Sequence, residues 1–294
     1  MKIEQFSYDG SGKFSLKKID TTPVKEYRDQ KEKFQEVVTS NVGEFQKFQQ
    51  KLISQKTYSI LIVIQGMDAS GKDSMVRNVL SGVNPSGFHV TSFKALTENE
   101  LNHDYLWRVH NRFPAGGEVA VFNRYHYEEV LIDKVHPENI VKENIPGIST
   151  VNDVTADFWK RRYKDIVEFE NFASRSGILM LKFFLHMSKD EQRKRFLRRI
   201  EIPSKNWKFA KADITERKYF EQYQKAYEDA IQATSTKTNP WYIIPSDDKW
   251  FSRVVVSDII KQRVKELPVE FPKLTKDQEF ELQEGAELLN QDKY

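Results

Sequence analysis

The 294-residue chain contains no cysteine, which excludes disulfides, thiolate catalysis, zinc ribbons and cysteine-held clusters. That absence fits a reducing compartment. No stretch approaches the ~18 apolar residues of a membrane span, and the opening MKIEQFSYDGSGKFS lacks the apolar core of a secretory leader. A cytoplasmic protein without a membrane partner is therefore expected. Charge of one sign is scarce too: 46 basic and 43 acidic side chains leave +3, too little to argue for nucleic acid. With 12 glycines and 10 prolines the chain is neither collagenous nor linker-like. Aromatic residues are plentiful, with 20 Phe, 12 Tyr and 5 Trp. They supply the buried area a core needs and exclude wholesale disorder. At ~150 residues per domain, the length suits one large domain with an embellishment.

Residues 1–57 read as a helical arm. Tyr27, Phe34, Val37, Val38, Phe45, Phe48 and Leu52 recur at helical spacing, with Gly43 as a break between one or two amphipathic helices. YSILIVIQ (58–65) differs in kind, a short β-branched run ended by Gly66, as in a strand buried on both faces. Helical stretches (72–81, 98–111, 154–174, 189–199, 214–234, 249–264) then alternate with strand-like runs (88–93, 118–123, 177–185, 241–245). That alternation predicts an α/β fold, a parallel sheet wrapped on both faces, over residues 58–264. Asp213 with Glu216 three residues on reads as a cap for the 214–234 helix. Residues 265–294 hold 4 basic and 8 acidic side chains with two prolines, a polar and loosely packed acidic tail.

GMDASGKD (66–73) follows the buried strand and opens a helix with the spacing G-x-x-x-x-G-K of a phosphate loop. Its glycines let backbone N–H groups face phosphate oxygens, and the helix terminus adds partial positive charge. Gly66, Met67, Ala69, Ser70, Gly71 and Asp73 are thus candidate substrate-binding positions, and Lys72 supplies a mobile full charge. Asp73 stands where Ser or Thr ordinarily ligates magnesium. Asp68 puts a carboxylate inside the loop, which makes sense where a metal ion sits between it and phosphates; the competing role is a helix cap. At the end of the next buried strand, VAVFNRYHYEEV (119–130) delivers Asn123 and Arg124 beside the loop. Asn123 is a neutral oxygen donor for a metal, and Arg124 can fork two phosphate oxygens. Glu128 is either an orienting carboxylate or a solvated helix position.

Residues 189–225 carry 12 Lys or Arg against 6 Asp or Glu, +6 in a chain whose total is +3. Arg193, Arg195, Arg198, Arg199, Lys205 and Lys208 crowd the first half. The run reads as a lid for a polyanion, because a transferring phosphoryl group spreads negative charge over its equatorial oxygens. The histidines show no zinc-like spacing, and no G-x-S-x-G elbow is present.

These blocks resemble the polyphosphate kinase 2 family, whose phosphate-loop fold is similar to thymidylate kinase. The matching stretches are GMDASGKD, the run from SGVNPSGFHV to FNRYHYEEVL, RFLRRIEIPSKNWKF and PWYIIPSDDKW, spanning about 59–253. The resemblance implies reversible, magnesium-dependent transfer of a terminal phosphoryl group between inorganic polyphosphate and a nucleotide, with manganese as a substitute ion. It places Asp68 and Lys72 in the phosphate and metal site, Asn123 and Arg124 in the second motif, and Arg195, Arg199, Lys205 and Lys208 in the lid. FNR followed by HYE resembles the class III branch, which acts on both AMP and ADP, although Tyr125 departs from the serine expected there. Asn84, Pro85, Phe93 and Lys94 are expected to border the nucleotide. A homo-oligomer, dimer or tetramer, is the expected assembly.

A nucleotide phosphate is already an anion, so the expected reaction needs no general base, only positioning and charge neutralisation. The residues bet to carry it are Asp68, Lys72, Asn123, Arg124, Glu128, Arg195 and Arg199, with Asp68 and Asn123 on the metal and Arg198 among the polyphosphate contacts. Two rivals remain at this point: an ATP-dependent nucleoside monophosphate kinase of thymidylate kinase type, and a non-catalytic nucleotide-binding module.

Overall fold

The computed structural model describes residues 2–27, 30–93, 96–123 and 126–291. In chain order the strands and α-helices are β1 (Ser7–Tyr8), α1 (Lys31–Gln55), β2 (Ser59–Gly66), α2 (Lys72–Val79), β3 (Phe88–Ser92), α3 (Glu98–Leu101), α4 (Trp107–His110) and β4 (Val119–Asn123). Then follow α5 (Glu128–Val135), α6 (Glu138–Val141), α7 (Ala156–Arg175), β5 (Ile178–His186), α8 (Lys189–Glu201), α9 (Lys211–Glu216), α10 (Phe220–Thr234), β6 (Trp241–Pro245), α11 (Lys249–Val264) and α12 (Lys276–Asn290).

The six strands form one sheet in the order β1-β6-β5-β2-β4-β3. Every pairing is parallel except that of β1 with β6. All eight residues of β2 are buried, the consequence of a central strand covered on both faces. Its Ile60, Ile62 and Ile64 pack toward α1, α2 and α11, while Leu61 and Val63 pack toward α5, α7 and α10. The period of two in strand side chains thus divides one apolar run between two half-cores. This is the phosphate-loop kinase fold, with the carboxyl ends of β2 and β4 side by side in register at Ile64 and Asn123.

The arm contributes to the sheet itself. Ser7 and Tyr8 pair with Tyr242 and Trp241, covering an edge that β6 would otherwise leave open. α1 runs 25 residues without interruption, so the break expected at Gly43 does not occur; the packing of Phe34, Val38, Val42, Phe45 and Leu52 outweighs one glycine. The helix expected over 98–111 is two short turns, α3 and α4. The tail contains α12, started by a Thr275–Gln278 capping box and burying none of its residues; local capping holds it rather than a core.

A polar network crosses the α5–α7–α10 half-core. Lys182, fully buried on β5, donates to Glu170 Oε2 (2.6 Å) and to the Thr234 carbonyl (2.8 Å). The Tyr127 hydroxyl donates to Glu170 Oε1 (2.7 Å). Tyr127 immediately precedes α5, so this network anchors the start of the helix whose first residue is Glu128.

Candidate active site

The loop between β2 and α2 owes its course to three backbone positions. A Cβ on Gly66 would lie 2.8 Å from Ser70 Oγ and 3.1 Å from the Leu185 carbonyl, so only glycine lets the loop close on β5. Gly71 sits at φ +104° as the N-cap of α2, and Ala69 holds φ +65°. No side chain caps α2 among the described residues, which leaves its first N–H groups to a ligand. Lys72 folds back over the loop, its Nζ donating to the Gly66 carbonyl at 2.6 Å and reaching Met67 O at 3.4 Å.

The first half of α8 braces the same loop from the other side. Gln192 Nε2 donates to the Asp68 carbonyl (3.1 Å), and Arg195 Nη1 donates to the carbonyls of Ala69 (3.2 Å) and Ser70 (2.5 Å). Arg195 also donates to Ser246 O and, through Nε, to Glu191 Oε1 at 2.7 Å. Only 5% of Arg195 is exposed, so it stands as a strut beneath the loop, whereas Arg198 and Lys205 are exposed. Arg199 is half-buried and held by Asp213 Oδ2 (2.9 Å) and the Lys208 carbonyl (3.3 Å). Lys208 Nζ lies 4.9 Å from the centre of the Trp207 ring. Asp213, expected to cap the next helix, serves as this partner instead. The helix expected over 214–234 is accordingly divided into α9, a 3₁₀ turn at Arg217–Tyr219, and α10.

Asn123 ends β4 opposite the loop. Its Nδ2 donates to Asp73 Oδ1 at 2.7 Å, and its Oδ1 is buried with no hydrogen-bond partner among the described residues. An orphaned buried oxygen beside a carboxylate is a position that suits a hard cation. Asp68, Lys72 and Glu128 line one small cavity together with Gln192, Glu216 and Tyr223. The Tyr223 hydroxyl donates to Glu216 Oε2 at 3.0 Å, closing that cavity from α10. Burial and the neighbouring Arg195 and Arg198 push the Lys249 ammonium down to about 8.

A larger cavity, about 380 Å³, adjoins this one and shares Glu128 and Ile132 with it. Phe93 lines it, packed edge-to-face on Phe122 (5.2 Å) with the Arg108 guanidinium 5.3 Å from its ring centre. Asn84 and Pro85, expected to border the nucleotide, are not brought to the phosphate loop. They precede β3 and hydrogen-bond through Asn84 to Gln49 of α1, at the amino-terminal end of the strands. The loop lies at the opposite, carboxyl end, where such sheets bind ligands. Lys94 and Arg124 lie outside the described residues. Sequence reading missed the site placement of Gln192, Glu216, Tyr223 and the cluster around Arg108; Glu216 was read only as a capping partner and Glu129 only as part of the 119–130 run, and only folding brings these side chains to the two cavities.

Comparison with known proteins decides the family. Residues 27–272 match the family model described as polyphosphate kinase 2. The chain belongs to the polyphosphate kinase 2 family. It is 41% identical over 282 residues to an ADP-polyphosphate phosphotransferase of Rhodopseudomonas palustris, covering 96% of each chain. It is 39% identical over 270 residues to an AMP/ADP-polyphosphate phosphotransferase of Meiothermus ruber, covering 92% of this chain and 96% of the other. Its fold is similar to a crystal structure of polyphosphate kinase 2 from Arthrobacter aurescens, with a TM-score of 0.86 at 33% identity, covering 97% of this chain and 96% of that one. This polyphosphate kinase 2 is accordingly a phosphotransferase.

Proposed function

We propose that this polyphosphate kinase 2 transfers the terminal phosphoryl group of inorganic polyphosphate reversibly to AMP and to ADP, at the loop formed by residues 66–73. The observation that supports it most is the joining of Asn123 to Asp73 with the buried Asn123 Oδ1 left over. A second-motif asparagine and a loop carboxylate thereby meet where phosphates would lie. Asp68, Asp73 and Asn123 offer oxygen donors that suit magnesium, or manganese in its place. Such an ion, when bound, neutralises phosphate charge.

In this reading Lys72 leaves its two loop carbonyls to neutralise the group being transferred. The backbone N–H groups at the start of α2 hold its oxygens, and Glu128 orients the acceptor. Arg124 joins Lys72 on sequence grounds. Arg198, Arg199, Lys205 and Lys208 hold the polyphosphate chain, and Arg195 keeps the loop in shape beneath them. No base is required, since the attacking phosphate oxygen is already ionised; orientation and compensating charge carry the rate.

The test supplies long-chain polyphosphate and magnesium with ADP alone, then with AMP alone, and separates products by chromatography. ATP from ADP, and ADP followed by ATP from AMP, is the expected result. Turnover only when ATP and a nucleoside monophosphate are supplied would move the chain to ordinary nucleotide kinases. Omitting the divalent ion is expected to stop the reaction.

A further inference from the structure

Two exposed surfaces of this chain carry apolar side chains in fields of opposite charge. The first is α12. Its Leu282, Ala286 and Leu289 recur at i, i+4 and i+7 and so form one stripe along the helix. Asp277, Glu279, Glu281, Glu284 and Glu287 surround that stripe with five carboxylates, against the single ammonium of Lys276. No residue of α12 is buried, and Leu289 is 75% exposed. A 15-residue helix standing free in water is marginally stable, so a partner that covers the stripe would add what the rest of its own chain does not.

The second surface is the lid over α8 and α9. Leu197, Ile200, Phe209 and Ile214 are exposed there, and Trp207 is 78% exposed. Arg193, Lys194, Arg198, Lys205 and Lys211 are exposed among them. Large apolar side chains gathered in one exposed region mark an interaction surface. The carboxylates of α12 complement these cations, and complementary charge sets register while the apolar side chains supply buried area.

The place of the tail in the fold selects whose lid it meets. The chain is fastened as far as Glu270. Val269 is buried in the core, the Pro268 carbonyl accepts from Gln55 Nε2 (3.3 Å), and Lys51 Nζ pairs with Glu270 Oε2 (2.5 Å). Lys51 and Gln55 end α1 just ahead of β2, at the amino-terminal end of the strands, whereas α8 follows the carboxyl end of β5. The eight residues of β2 rise about 26 Å. The link over 271–275 spans at most about 17 Å. Only a fully stretched link with the helix laid along the strands would bring Leu282 level with its own lid. The lid of a second copy carries no such constraint, and two copies that exchange α12 form a closed two-fold pair.

We propose that α12 docks on the lid of a second copy, with its leucine stripe on the apolar residues around Trp207 and its carboxylates on Arg198 and Lys205, and that the docked helix and polyphosphate exclude one another. The exclusion rests on the proposed role of those two cations in holding polyphosphate. The acidic helix of one copy thus covers the polyanion path of the other until polyphosphate displaces it.

The absence of cysteine makes single introduced thiols unambiguous reporters. Gln283→Cys on α12 and Ser204→Cys in the lid are made in separate full-length chains, both at exposed positions. The two proteins are mixed without nucleotide and treated with a flexible bismaleimide. A mixed adduct is expected. Long-chain polyphosphate, high salt, or Leu282→Ser with Leu289→Ser in the α12 reporter should each suppress it by on the order of tenfold. Absence of the mixed adduct, an adduct formed only within a doubly substituted chain, or an adduct that polyphosphate leaves unchanged would overturn the proposal. In the transfer assay, Leu282→Ser with Leu289→Ser should lower KM for polyphosphate by roughly threefold or more, with kcat and circular dichroism unchanged; an unchanged KM would also overturn it. Cross-linking is read without phosphoryl transfer, so failure of polyphosphate as donor registers separately, in the transfer assay of the unaltered protein.

Discussion

At the scale of single residues, the phosphate loop was legible because its chemistry is written in consecutive letters. Gly66, Gly71 and Lys72 each act through backbone conformation or charge close to their own positions. Arg195 was legible as a basic residue near the site but not in its placement. Its four carbonyl contacts come from Ala69, Ser70, Ser246 and Asp247, segments about 50 and 125 residues away. Arg195→Met keeps much of the volume and removes every one of those donors. Loop carbonyls that lose buried partners cost about 1–3 kcal/mol each, so the loop should lose its shape before the fold does. We expect kcat to fall more than tenfold with an unchanged far-ultraviolet circular dichroism spectrum; a kcat within twofold of the unaltered enzyme would remove Arg195 from the account.

At the scale of elements, the alternation of strands and helices gave the parallel sheet, because buried strands and amphipathic helices leave different periods in sequence. What periodicity lacks is the end of the sheet a segment occupies. Asn84 and Pro85 follow the loop's own helix closely. Yet α2 spans eight residues, or about 12 Å at 1.5 Å per residue, and carries the chain to the far end of the strands. Asp213 shows the reverse: a sound capping pattern was overridden by a tertiary partner, Arg199. Gly43 shows a third case, where a weak local preference yields to packing along α1. The preference still carries a penalty. A Cβ added at Gly43 meets nothing within 4 Å, so Gly43→Ala should stabilise the protein by about 0.5–1 kcal/mol. Urea unfolding should show a higher midpoint with an unchanged m-value; a lower midpoint would mean that α1 needs the glycine for a contact elsewhere.

At the scale of the whole molecule, the family blocks were readable across the chain, whereas the carboxyl cluster beside the loop was not. Arg108, Glu129, Asp133, Glu143 and Arg162 are spread over four segments and form no motif, yet they shape the stability of the protein toward pH. The Glu129 carboxyl, pushed up to about 8 in the folded chain, has an unfolded value of about 4.3. Between those limits the folded state binds a proton that the unfolded state has released, so stability falls as pH rises through that window. Scanning calorimetry from pH 5 to 8.5 should show a declining melting temperature, and Glu129→Gln should flatten the decline; an equally steep decline in the variant would place the proton elsewhere. The central claim, that one loop lysine neutralises a phosphoryl group passing directly from polyphosphate to a nucleotide, is tested most directly by Lys72→Ala. The unaltered enzyme and the variant are each given polyphosphate, magnesium and AMP, and ADP and ATP are followed over time. The account predicts at least a thousandfold slower transfer in the variant (loss of about 4 kcal/mol of transition-state stabilisation) with an unchanged melting temperature. Near-normal transfer by a folded Lys72→Ala protein would contradict it.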